Sequence, residues 1–399
     1  MKAVVLAAGE GTRMRPLTAD RPKPMLPVAG KPLLEHVLDA CQPVVDGVVL
    51  VTGYRADAVE DHFGDEHDGL ALTYVTQEEQ LGTAHAFGRA APYVDEPFLA
   101  LNGDVLVEPA LLESLAAADG AAMTVQHVDA PEHYGVVATD GDRVTGIVEK
   151  PDDPPSSLAN LGIYAFPPEL FEHIEAVELS PRGEYEVTDA IQSYVDAGGR
   201  LVPVEHDGVW LDVGRPWELL AANEHLLAGL ERGIEGTVEE GATLEGPVAV
   251  EPGARVRSGA YLEGPVLVQS GADVGPNAYV RGATVVGPDV RVGNAVEVKN
   301  SILMSDTHVA HLSYVGDSVL GRAVNFGAGT NVANLRHDDG NVRMMVKGDL
   351  VDTGRRKLGV VAADGAKTGI DTSINAGVKL GPGARTTPNE TVLKDRDGR

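Results

Sequence analysis

The 399-residue chain has one cysteine, ten lysines and few aromatic side chains, which make up 5% of its residues. A single cysteine excludes an internal disulfide. Cys41 sits among apolar residues at helical spacing and is expected to serve core packing. No stretch approaches the roughly 18 uninterrupted apolar residues that a membrane span needs. The first apolar run ends at Ala8 without the layout of a signal peptide, so a cytoplasmic protein with no membrane partner is expected. Basic charge is scarce as well: 32 Lys and Arg stand against 60 Asp and Glu, for a formal net charge of −28. Such a surface repels nucleic acid, and any pocket for an anionic substrate must gather its few cations locally. The same imbalance suits a protein kept soluble in concentrated salt, where the Debye length falls to about 3 Å at 1 M.

What is present falls into two patterns, and the length itself predicts two or three domains. Up to about residue 230, short apolar runs at 48–51, 72–75, 98–101, 123–125 and 163–166 are interspersed with segments of helical spacing such as 31–40 and 84–91. This predicts an α/β, Rossmann-like domain over 1–230 with a mixed, mostly parallel sheet, whose ligands bind at the carboxyl ends of the strands.

From about residue 235 the period becomes six. Val238, Leu244, Val250, Val256, Leu262, Val268, Val274, Val280, Val286, Val292 and Val298 follow at even steps, and a second series from Ala242 to Ile302 keeps the register and continues through Tyr314, Leu320, Phe326 and Val332. Each hexad makes one flat face of a three-sided coil, and stacked coils bury the recurring small or branched residue. Residues 231–399 are therefore expected to form an all-β domain, a parallel β-helix of hexapeptide repeats with about five turns over 238–332.

At the N-terminus an apolar strand leads into Ala7-Ala8-Gly9-Glu10-Gly11-Thr12-Arg13-Met14, and Pro22-Lys23-Pro24 follows. Gly9 and Gly11 permit positive-φ turns that bring backbone N–H groups against a polyphosphate; Arg13 offers a bidentate grip and Lys23 a point charge. No Gly-Lys-Ser/Thr follows, so this is not a Walker loop, and the third glycine of a dinucleotide fingerprint is missing. The expected first substrate is a nucleoside triphosphate, held around Leu6, Ala8, Gly9, Gly11 and Thr12.

The segment resembles the G-x-G-T-R and P-K-P signature of the sugar-1-phosphate nucleotidylyltransferases. Gln77-Glu78-Glu79-Gln80-Leu81-Gly82-Thr83-Ala84 resembles the family's Q-x-x-Q-L-G-T-A element, which implies Gln77, Gln80, Gly82 and Thr83 at the pyrimidine. Gln77 carries a donor and an acceptor, which suits the imide of uracil or thymine. The resemblance also covers Asp104, just after a buried strand, and Asp212 in Trp210-Leu211-Asp212-Val213-Gly214. Mg²⁺ takes one or two carboxylates plus phosphate oxygens, so these two are the expected metal ligands, with Asp104 also at the nucleotide. Tyr134-Gly135, Glu149-Lys150, Asn160-Leu161-Gly162 and the segment 183–189 resemble the Y-G, E-K, N-x-G and G-E-x-x-x-T-D elements. They imply that Gly135, Glu149, Lys150, Asn160 and Thr188 bind a sugar 1-phosphate, while Arg13 and Lys23 serve catalysis.

Within the repeats, His311-Leu312-Ser313-Tyr314-Val315-Gly316-Asp317, Asn325-Phe326-Gly327-Ala328-Gly329-Thr330 and Asn334 resemble the glucosamine-1-phosphate acetyltransferases among the left-handed hexapeptide-repeat acyltransferases. The resemblance implies a left-handed coil, a homotrimer or a multiple of trimers, and acetyl-CoA as co-substrate. It makes His311 the general base, a role that suits an imidazole with pKa near about 6.5, and sets Tyr314, Asn325 and Asn334 around the sugar phosphate and amine. Where bacterial bifunctional enzymes carry Asn-Tyr-Asp-Gly with a following lysine, this chain departs, and Arg336 or Arg343 must stand in for the lysine. Gly354-Arg355-Arg356-Lys357 reads either as a grip for the phosphates of coenzyme A or as an exposed basic loop.

Together these features imply a bifunctional enzyme that acetylates glucosamine 1-phosphate and forms UDP-N-acetylglucosamine. A second reading is a glucose-1-phosphate thymidylyl- or uridylyltransferase whose repeats serve assembly. A third is a non-catalytic regulatory subunit.

Overall fold

The structure is a computed structural model that describes residues 1–398. The chain forms two units, one from Met1–Glu10, Pro22–Met25 and Leu33–Asp212, the other from Gly11–Arg21, Leu26–Pro32 and Val213–Arg399.

In the first unit Lys2–Leu6 runs parallel to both Gly47–Thr52 and Phe98–Asn102, and Gly47–Thr52 continues parallel to Leu70–Thr76. All six residues of Gly47–Thr52 are buried. Strands covered on both faces read as unbroken apolar runs, which makes these segments visible in the sequence. The helix Leu33–Cys41 buries Leu33, Leu34, Val37, Leu38 and Cys41, the stripe of a helix packed on a sheet. Burial pushes the Cys41 thiol up to about 12, as fits the expected packing role.

Parallel pairing holds at the centre of this ten-stranded sheet and gives way to mostly antiparallel pairing along its flank, so the sheet is mixed. Leu158–Phe166 lies antiparallel to Phe98–Asn102 and to Ala121–His127, and Gly135–Asp140 pairs antiparallel with Arg143–Glu149. Only Gly141 and Asp142 join that last pair, with Gly141 at φ 62°. So short a connection closes a hairpin and cannot carry the crossover that parallel strands need.

The second unit is a coil of three parallel sheets with eight, six and eight strands, each sheet taking every third strand of the coil. Val256, Val274 and Val292 stand in register, within one continuous apolar interior. The even hexad register slips after Val298, because Val285 pairs with Ile302 and Val298 with Val315. The interior residues there are Leu303, Val309 and Val315, so Tyr314 lies outside the core series in which the sequence pattern puts it.

A hydroxyl ladder marks the shortened turn: Ser301 N donates to Thr284 Oγ1, Ser318 N to Ser301 Oγ, and Val360 N to Ser318 Oγ. The side chains supply the acceptors, as buried N–H groups require. After Val332 the coil is interrupted by an insert containing the hairpin Arg343–Val346 and Asp349–Asp352. It resumes at Val361–Ala362 and runs on to Thr391–Val392, beyond the run legible as hexads. Among the described residues no helix is long and apolar enough to cross a membrane.

Candidate active sites

The carboxyl ends of the central strands open into a cavity of about 290 Å³ lined by Leu6, Ala8, Gly9, Gln77, Gln80, Gly82, Thr83, Ala86, Asn102, Asp104 and Glu184. Eight of the residues expected at the nucleotide meet there. The cradle is held from both sides: Ala8 O accepts from Tyr54 N and from Gln80 Nε2, each at 3.1 Å. Gly11 takes the left-handed conformation, with φ 60°. Gly9 does not, and its missing side chain leaves open space instead. Gly11, Thr12 and Arg13 belong to the second unit, where Thr12–Met14 forms a 3-10 turn and the Arg13 guanidinium lies beside Gly214.

Gln77, in the wall of this cavity, is buried. Gly82 has φ 119°, and a side chain there would collide with the Tyr185 backbone. The Thr83 hydroxyl accepts from Val187 N at 3.0 Å, joining this loop to the start of the helix Val187–Asp196.

Lys23 is buried in the turn Lys23–Met25. A buried ammonium needs a carboxylate partner; Lys23 Nζ donates to Asp104 Oδ2 and lies 3.8 Å from Asp212 Oδ1. The two aspartates are brought together by a short antiparallel pair in which Asp212 faces Val105. Asp104 Oδ1 is buried and has no hydrogen-bond partner among the described residues. An orphaned carboxylate oxygen beside a second carboxylate is a donor set that suits a hard divalent cation.

The residues expected at the sugar cluster around the hairpin. Gly135 pairs with Glu149 across it, and a Cβ at Gly135 would stand 3.0 Å from the Glu149 carboxylate and 3.5 Å from Asn160. Lys150, at φ 45°, reaches back to Glu149 at 3.5 Å. Asn160 donates from Nδ2 to the Tyr164 hydroxyl at 2.7 Å and accepts from Gly162 N at 3.0 Å. Thr188 is buried, and its hydroxyl has no partner among the described residues. Arg182 joins this group unforeseen, 3.5 Å from Glu149 and 2.5 Å from Glu186. Its signal in the sequence is that it is the one cation in an acidic loop, 178–189.

In the coil the four residues expected at the acetyl-transfer site divide between two faces. His308–His311 pairs with Asn325–Phe326 in one sheet, while Tyr314–Gly316 belongs to the next. His311 is exposed, and its carbonyl accepts from Ser313 Oγ and Gly329 N. Tyr314 and Asn334 are joined directly, with Asn334 Nδ2 donating to the tyrosine hydroxyl at 3.1 Å and to Asp317 Oδ2 at 2.5 Å. Burial, and then Asp317, push the Tyr314 hydroxyl above its ordinary value. Buried Asp317 also accepts from Lys299 at 2.8 Å and from Asn300 at 3.0 Å. Asn300 bonds Glu224 at 2.7 Å, and Glu224 in turn holds Arg355.

The basic run at 354–357 is thus largely committed within its own unit, with Arg355 on Glu224 and Arg356 on Asp339. Arg336 is held by Asp338. Arg343 pairs with no carboxylate among the described residues, so of the two arginines expected to stand in for the lysine it is the uncommitted one.

The chain matches known proteins along its whole length. A family model described as nucleotidyl transferase matches residues 2–229. A bifunctional protein GlmU of Methanocaldococcus jannaschii is 43% identical over all of this chain and 95% of its own length. A bifunctional sugar-1-phosphate nucleotidylyltransferase/acetyltransferase of Sulfurisphaera tokodaii is 37% identical over 99% of this chain and 98% of its own. The chain belongs to this bifunctional nucleotidylyltransferase/acetyltransferase family. As a member it is an enzyme, and its repeats also match a model described as a GMPPB C-terminal domain, at residues 262–363. A low-salt glycan biosynthesis nucleotidyltransferase of Haloferax volcanii is 37% identical over 82% of this chain and 94% of its own length. Among solved structures, a UDP-glucose pyrophosphorylase complexed with UDP-glucose superposes with TM-score 0.52 at 25% identity, covering 57% of this chain and 98% of that one.

Proposed function

We propose that this chain makes UDP-N-acetylglucosamine in two steps, with nucleotidyl transfer in residues 1–230 and acetyl transfer in residues 231–399. One observation supports the reading above all: eight of the residues expected at the nucleotide, Asp104 among them, line one cavity, and Asp104 Oδ1 is buried there without a partner among the described residues. In the acetyl step the amine of glucosamine 1-phosphate attacks the thioester carbonyl of acetyl-CoA. His311 takes the amine proton, and coenzyme A leaves as the thiol. Tyr314 and Asn334 orient the amino sugar, Asn325 lines the adjoining face, and Arg343 takes the sugar phosphate in place of the usual lysine.

In the nucleotidyl step an oxygen of N-acetylglucosamine 1-phosphate attacks the α-phosphorus of UTP in line, and the bond to the β-phosphate breaks to release pyrophosphate. No covalent enzyme intermediate is required, so catalysis is positioning plus charge neutralisation. Backbone N–H groups of Gly9, Gly11 and Thr12, with Arg13, hold the triphosphate. Lys23 neutralises charge at the reacting phosphates, and Lys150 holds the attacking phosphate. Gly135, Glu149, Asn160 and Thr188 hold the sugar. Asp104 and Asp212 would hold Mg²⁺, which when bound supplies charge neutralisation at the α-phosphate and the leaving pyrophosphate.

The coil is left-handed and the enzyme is a cytoplasmic homotrimer or a multiple of one, in keeping with the family resemblance. The similarity to a UDP-glucose pyrophosphorylase favours glucose 1-phosphate as the rival sugar. Pyrophosphate release measured over UTP, dTTP, CTP and GTP, against glucose 1-phosphate, glucosamine 1-phosphate and N-acetylglucosamine 1-phosphate, is expected to peak at UTP with the acetylated sugar. A peak at glucose 1-phosphate with dTTP would select the thymidylyltransferase reading, and no release anywhere would select the regulatory one.

A further inference from the structure

The amide nitrogen of Gln77 is committed twice. Nε2 donates to Gly82 O at 3.3 Å and lies 3.0 Å from His85 Nδ1. A carbonyl oxygen only accepts, so the end of the amide facing Gly82 is the NH₂ group. An amide nitrogen has no lone pair to offer, so His85 Nδ1 must accept, and the imidazole is neutral with its proton on Nε2. Both N–H groups of Gln77 are thereby used. Oε1 is the polar atom that remains for a ligand, and no described residue donates to it. Gln77 therefore presents an acceptor alone, not the donor and acceptor expected from its chemistry.

His85 does not line the cavity that holds Gln77; it lines a neighbouring one of about 710 Å³ with Leu81, Ala84 and Tyr185. It stands on the helix Thr83–Gly88, directly after the Gly82–Thr83 turn. Of the two bonds to the amide, the one to His85 is the shorter and nearer to ideal length, so it is the stronger restraint on which end of the amide faces the base.

We propose that His85 is a positioning residue that sets the choice of nucleobase by locking the Gln77 amide with its oxygen toward the pocket. This rests on the reading that Gln77 faces the base. An acceptor at that point pairs with the ring N–H at position 3 of uracil or thymine. Cytosine has a lone pair there, so two acceptors would face each other without water between them. With His85 removed, the longer bond to Gly82 O is the one restraint left on the amide, and each time the amide turns its NH₂ group meets cytosine as its oxygen meets uracil.

The test measures kcat/KM for UTP and CTP on the full-length enzyme with N-acetylglucosamine 1-phosphate, using His85→Phe, His85→Leu, His85→Asn and Gln77→Ala. Both apolar variants should lower the UTP-to-CTP ratio about tenfold or more, through a higher KM for UTP and a lower KM for CTP rather than through kcat. His85→Asn, whose Oδ1 can take the same bond, should keep the ratio within about threefold of the starting enzyme. A ratio unchanged in a folded Phe or Leu variant, or lost equally in the Asn variant, overturns the proposal. If Gln77→Ala leaves the ratio intact, base reading by Gln77 itself fails. If Gln77→Ala collapses the ratio and the apolar His85 variants do not, only the role of His85 fails.

Discussion

Lys23 spends one of the chain's ten lysines on a buried position beside Asp104 and within 3.8 Å of Asp212. The arrangement is costly without an anionic substrate to complete it, because a buried charge must be paired. Asp104→Asn keeps the shape and the bond to Lys23 but removes the charge. It should lower nucleotidyl turnover about 100-fold or more, while far-ultraviolet circular dichroism stays that of a folded protein and the loss of melting temperature is limited by Asp212, which still stands 3.8 Å from Lys23. Turnover near the parent's value would remove Asp104 from the site. On the other unit, Tyr314→Phe removes the hydroxyl that Asn334 bonds and should reduce acetyl transfer, read as thiol release from acetyl-CoA, while leaving pyrophosphate release unchanged. Residues such as Gly9, Gln77 and Asp104 are legible in the sequence because each lies in a short contiguous motif. Arg182, Lys299, Asp317 and Glu224 are not, since their roles come from partners that only the hairpin, the coil register or the helix brings close.

At the scale of elements, the hexad pattern is legible because the inward positions of the coil take small or branched side chains almost throughout, Phe326 being an exception. Its one-residue slips, after Val298 and again after Val315, are hidden, because the shortened turns are stabilised by Thr284, Ser301 and Ser318, polar residues that also suit an ordinary corner. The first slip turns Val315 inward and Tyr314 outward. Val315→Ala should therefore lower the stability of the coil by about 2 kcal/mol, seen as a shift of the denaturation midpoint, whereas Tyr314→Phe should leave that midpoint in place. The opposite ranking would restore the even register. In the first unit, the antiparallel flank is poorly legible for a different reason. A strand's apolar run shows that it is buried but not which way it runs, and only the two-residue link at Gly141 and Asp142 carries that information.

Across the whole molecule, a formal charge of −28 sets self-repulsion against the compact state. The carboxylates repel over about 10 Å at 0.1 M salt and about 3 Å at 1 M. The melting temperature should rise from 0.1 M to 1 M KCl and activity should fall on dialysis into low salt; a midpoint that falls with added KCl would contradict the reading of the charge. The same acidity repels the proposed substrates, all of them anionic, so the cations proposed to receive them, Lys23, Arg13, Lys150 and Arg343, must act locally. If one chain joins two transfers on one sugar, a single incubation should show both. Purified enzyme is given glucosamine 1-phosphate, acetyl-CoA, UTP and Mg²⁺, and the nucleotide sugar is identified by mass while thiol and pyrophosphate are counted. The expected product is UDP-N-acetylglucosamine, with one thiol and one pyrophosphate released per molecule formed. A nucleotide sugar formed without thiol release, or thiol release with no nucleotide sugar, would contradict it.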